Sequence, residues 1–152
     1  MSSRNKRAVI KEARHVRLYH NTILTSPAWR DLNCYARAGY VELSMRYGGR
    51  DSNNGRIPYS VREMAKNLNI SVPTARDRVF KELKEHGFIV ETKRGRYGRK
   101  RSYASEWRLT EFQCDVTGEL PTHAYKHWQG LAQPISTKDF VHRAQSTTRH
   151  AA

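Results

Sequence analysis

Residues 59–87 read YSVREMAKNLNISVPTARDRVFKELKEHG, and two helix starts are written into them. Ser60-Val61-Arg62-Glu63 has the spacing of a capping box, in which the Ser60 hydroxyl accepts from the Glu63 amide and the Glu63 carboxylate reaches back. Val61, Met64, Ala65 and Leu68 then give a helix one apolar face that runs out near Asn67 to Asn69. Ser71 is a second N-cap, with Pro73 in the first turn, and Ala75, Val79 and Leu83 mark a further helix reaching His86, where Gly87 stops it. Two helices joined by so short a turn form a helix-turn-helix unit.

The flanks extend this pattern. Upstream, Ser26 is an N-cap with Pro27 at the first helical position, followed by Trp29 and Leu32. Asn33 caps a longer helix through Tyr47, on which Tyr35, Ala38, Val41 and Met45, with the neighbouring Ala36, Tyr40 and Leu43, recur at helical spacing; Gly48-Gly49 ends it. Arg50 to Gly55 is a turn-rich loop, and Arg56 to Tyr59 a short extended segment. Downstream, Phe88 to Thr92 is strand-like, and Tyr103, Trp107 and Leu109 share one face of a second strand at period two. Between them, Lys93-Arg-Gly-Arg-Tyr-Gly-Arg-Lys-Arg101 suits a hairpin tip. The fold class read from this order is mainly α with a small β-hairpin, α+β.

The formal net charge of the 152 residues is +14, and it is unevenly placed. Residues 93–101 hold six basic side chains and no acidic one, residues 1–20 contribute +5 and residues 121–152 contribute +3. The rest of the chain is neutral. A surface that only needs to be soluble intersperses its charges, whereas a polyanion binder gathers positive charge on a few facing elements. No apolar run approaches a membrane span, and Met1-Ser-Ser-Arg-Asn-Lys-Arg7 lacks the apolar stretch of a secretory signal. The expectation is a cytoplasmic, nucleoid-associated protein with no membrane partner. Cys34 and Cys114 do not make a disulfide framework.

Read together, Tyr59 to Ser71, Thr74-Ala75, Val79 to Leu83 and Gly87-Phe88-Ile89 resemble the winged helix-turn-helix DNA-binding family of MarR-type and GntR-type regulators and of plasmid and phage replication proteins. Two departures stand out. Asn69 lies where the turn usually has Gly, and the stretch from Thr74 to Leu83 is one residue longer than the commonest pattern. The resemblance implies a recognition helix in the major groove of double-stranded DNA and a wing on the flanking backbone or minor groove. At about 100° per residue, Thr74, Asp77, Arg78, Lys81 and Lys84 lie opposite the apolar line. The expected recognition-helix contacts are Ser71, at the N-cap, with Thr74, Asp77, Arg78 and Lys81. Arg78 suits guanine, Thr74 a phosphate or a thymine methyl, Asp77 a cytosine or the orienting of Arg78, and Lys81 phosphate. The wing contacts are Lys93, Arg94, Arg96, Tyr97, Arg99, Lys100 and Arg101, with Arg96 or Arg99 entering a minor groove. Arg4, Lys6 and Arg7 make a basic arm.

The domains so read are a flexible basic arm over 1–15, the winged-helix domain over 16–114, and a C-terminal extension over 115–152, partly helical around Leu120, Ala124 and Trp128 and then flexible. That extension and the first helix are where a homodimer contact is expected. The functional expectation is a sequence-specific duplex-DNA-binding transcription regulator; a plasmid or phage replication protein binding origin DNA, and an RNA-binding protein, are the competing readings. Cys114, His123 and His127 lack a fourth partner and match no strong zinc motif, so Cys114 is read as packed and the histidines as surface residues. There is no phosphate-binding Gly-rich loop, nucleophile elbow or His-Glu-x-x-His. No enzyme activity, catalytic residue, metal or cofactor is assigned.

Overall fold

Four short polar side chains start four of the helices, because each accepts a backbone N–H that the first turn leaves without a partner. The computed structural model describes residues 15–98 and 102–130. Ser26 accepts from Trp29 at 3.1 Å and opens α1 (Pro27–Asp31); Asn33 accepts from Ala36 at 2.9 Å and opens α2 (Cys34–Arg46). Ser60 accepts from Glu63 at 3.1 Å and opens α3 (Val61–Leu68). Ser71 accepts from Thr74 at 3.2 Å, and from there an α-turn (Val72–Thr74), a π-helical segment (Ala75–Phe80) and a further α-segment (Lys81–Glu85) run on as one helix, α4, over 72–85. These caps lie where the sequence places them. The second half of the capping box does not form, because the Glu63 carboxylate is taken by the Arg46 guanidinium.

Between α3 and α4 the chain turns through Asn69, which has φ 53° and ψ 47°. Asn tolerates this left-handed conformation better than other residues with a Cβ, so it can stand in for glycine there. Within this otherwise α-helical run, Ala75–Phe80 winds as a π-helical segment, with a wider turn than its neighbours. Gly87, at φ 77°, ends the helix, and a Cβ there would lie 2.8 Å from the Ala124 backbone carbon.

β1 (Ile57–Pro58), β2 (Ile89–Lys93) and β3 (Glu106–Leu109) form an antiparallel sheet in the order β1-β3-β2. Ile57 pairs with Trp107, Ile89 with Leu109, and the register shifts between Glu91 and Lys93. The fold is thus mixed helix and small sheet, α+β. Tyr103, expected on one face of the strand with Trp107 and Leu109, lies before β3 and is exposed, while Arg96 and Tyr103 exchange backbone hydrogen bonds across the hairpin at 3.0 Å.

The core contains Trp29, Tyr40 and Phe88 in mutual edge-to-face contact at 5.5–5.7 Å, with Tyr125 stacked on Phe88 at 4.9 Å and Phe80 on Trp107 at 4.6 Å. On α2 the buried residues are Ala36, Gly39, Tyr40 and Leu43; of the other apolar positions expected there, Val41 is half-buried and Tyr35, Ala38 and Met45 are exposed. Gly39 explains the choice: a Cβ there would lie 2.2 Å from Val79 Cγ1, so its absence lets α4 approach. After Cys114 the expected amphipathic turn takes another form. Leu120 is exposed, Tyr125 is the buried residue of a short 3₁₀ turn (Ala124–His127), and Trp128 stacks on His86 at 4.6 Å.

Asn54 is a buried polar hub. Its side-chain carbonyl accepts from the Leu109 N–H at 2.7 Å, and its amide donates to the carbonyls of Leu109, Phe112 and Gln113. Among the described residues no helix is long and apolar enough to cross a membrane.

Candidate nucleic-acid interface

The outward side of α4 is set by what its inner side buries. Ala75, Val79, Phe80 and Leu83 are turned into the core, which leaves Ser71, Arg76, Asp77, Arg78, Lys81 and Lys84 exposed and Thr74 half-buried. Thr74 also has its hydroxyl 2.7 Å from that of Ser71, within the cap itself. Each cation of this face has a carboxylate near it: Arg78 lies 3.4 Å from Glu82, Lys81 3.9 Å from Glu85, and Lys84 3.8 Å from Glu91. Such exposed pairs are weak, and a polyanion can exchange with them.

Asp77 does not orient Arg78. It takes the neighbouring Arg76 in a two-pronged pair, Nε donating to Oδ1 at 2.8 Å and Nη2 to Oδ2 at 2.9 Å. That hydrogen bonding holds the Asp77 carboxyl below the usual carboxylate range. Arg76 is not among the expected contacts, because a uniform α-helical turn puts it about 60° from the middle of the Ala75–Val79–Leu83 line. Phe80, an aromatic directly after Val79 that a uniform period leaves off the apolar line, is buried on Trp107 at 4.6 Å.

Ser105 donates to the Glu91 carboxylate and accepts from the Gly95 N–H, both at 2.9 Å, which ties the base of the hairpin loop to β2. Arg94, Arg96 and Tyr97 are exposed, whereas Lys93 pairs with Glu106 at 3.4 Å and lies over the Tyr103 ring. The Arg62 guanidinium sits 4.9 Å from the Tyr97 ring centre, so the hairpin leans on the start of α3. An open groove of about 460 Å³ lies between them, walled by Ser60, Val61, Arg62, Arg96, Tyr97 and Tyr103. Arg99, Lys100 and Arg101 of the hairpin, and Arg4, Lys6 and Arg7 of the arm, lie outside the described residues.

Among the described residues no group of three or more His, Cys, Asp or Glu side chains is arranged to hold a metal ion. Cys114 is buried, with its thiol directed at the Asn54 carbonyl at 3.6 Å. The chain matches no family model, no curated protein and no solved structure with which it was compared.

Proposed function

We propose that the chain is a winged helix-turn-helix protein that binds double-stranded DNA with sequence preference and acts as a transcription regulator through occupancy of its site. The element order α2, β1, α3, α4, β2, basic hairpin, β3, with the sheet order β1-β3-β2, supports the winged-helix reading. The observation that carries the DNA reading is the exposed polar face of α4 on a packed core, in the same fold as a hairpin whose residues 93–101 hold six basic side chains. A major groove admits one α-helix, and a basic hairpin beside it supplies phosphate or minor-groove contacts.

Selection by the full chain from random duplex DNA at near-physiological salt, followed by competition with unrelated DNA and RNA, tests this. The expected result is an enriched motif bound about 10³-fold or more tightly than unrelated duplex. Tight binding without enrichment, or stronger competition by RNA, overturns it.

A further inference from the structure

We infer that Arg76, braced by Asp77, reads a guanine in the major groove and is a specificity-determining residue of α4; this rests on the duplex-DNA reading above. A guanidinium offers two forked donor edges, one through Nε and Nη2 and one through Nη1 and Nη2. In this structure Asp77 occupies the first, at 2.8 and 2.9 Å, while the Arg76 side chain stays 64% exposed. The second edge is a planar pair of donors whose direction the carboxylate sets. Guanine is the base that presents two acceptors together on the major-groove edge, N7 and O6; adenine places an amino donor beside N7, which a second guanidinium donor opposes.

The brace also argues against a phosphate role. A phosphate competes with a carboxylate for the same guanidinium and is repelled by its charge. Asp77, 49% exposed on the same face, therefore penalises approach to the backbone and favours approach to a base edge. The other cations of the helix have single-point partners at 3.4–3.9 Å, with no comparable fork. Arg76 is also in the N-terminal half of α4, the part of a recognition helix that reaches base edges.

The test repeats the selection with the full chain, Arg76→Lys and Asp77→Asn, and measures affinity for the selected duplex, for the three base changes at each guanine, and for unrelated duplex. Arg76→Lys keeps the charge and loses the fork, so it should lose about 5- to 160-fold of discrimination at one guanine per bound motif while the salt dependence is unchanged. Asp77→Asn should lose discrimination at that same guanine and bind unrelated DNA more tightly. Both side chains are exposed, and unchanged thermal unfolding will show that each variant is folded. An unaltered motif with full discrimination in both variants overturns the assignment and leaves the DNA reading standing, as does an equal loss for every duplex on Arg76→Lys. If the unaltered chain enriches no motif, both readings fall.

Discussion

Gly39 and Glu111 show how much single side chains govern here. A methyl added at Gly39 meets the buried Val79, whose short branched side chain cannot swing away. Gly39→Ala gains about 1 kcal/mol of helix propensity but overpacks the core, and its stability should fall by a net 1 kcal/mol or so; combined with Val79→Ala it should cost less than the two changes added. Urea unfolding of the three variants measures this. Glu111 is buried with one carboxylate oxygen accepting from Tyr40 at 3.0 Å and the other without a hydrogen-bond partner among the described residues. Burial raises its carboxyl above the usual glutamate range, against the opposing effects of the Tyr40 hydrogen bond and the Lys126 charge. The folded state thus holds this proton more tightly than the unfolded chain, so stability falls as pH rises from the ordinary glutamate range through the raised value. Glu111→Gln should flatten that fall, and an unchanged stability profile between about pH 4 and 8 would refute the assignment.

The turn between α3 and α4 and the basic hairpin each act as a unit. Asn69 holds the turn in left-handed conformation, so Asn69→Ala should cost about 1–2 kcal/mol by urea unfolding, and Asn69→Gly much less. The hairpin is expected to contribute affinity rather than discrimination. Replacing Arg96, Arg99, Lys100 and Arg101 with Ala should weaken binding to all duplexes and reduce the slope of log affinity against log salt by about 0.9 per lost phosphate contact. A loss confined to one sequence would instead mark base reading by the hairpin. Within α4, Phe80 is buried against Trp107 of β3 while Arg76, one turn earlier, stays exposed.

Across the whole molecule, residues beyond Cys114 complete the core instead of merely following it. Tyr125 is fully buried against Phe88, and Glu119 pairs with the buried Arg108. Tyr125→Ala should therefore lower stability by about 3–4 kcal/mol, read from the urea midpoint, and a chain ending at residue 118 should lose at least as much. The interplay of local and distant contacts explains what could be read in advance. The caps at Ser26, Asn33, Ser60 and Ser71 each act on a residue three positions on, and the buried line Ala75, Val79, Leu83 is a periodicity within one helix, so both are legible in the sequence. The cluster of positive charge in residues 93–101 is equally plain there. On α2, by contrast, apolar residues lie on more than one side, and the contacts of Gly39 with Val79 and of Tyr40 with Trp29 and Phe88 decide which are buried. Asn54 becomes a hub only once Leu109 to Gln113, 55 to 59 positions away, are brought to it. Arg76 is exposed although a uniform helix places it on the flank of the apolar line, and Phe80, further from that line, is buried against Trp107. Capping and periodicity act over a few neighbours along the chain, whereas the choice of buried face and the hub are set by side chains that meet only after folding.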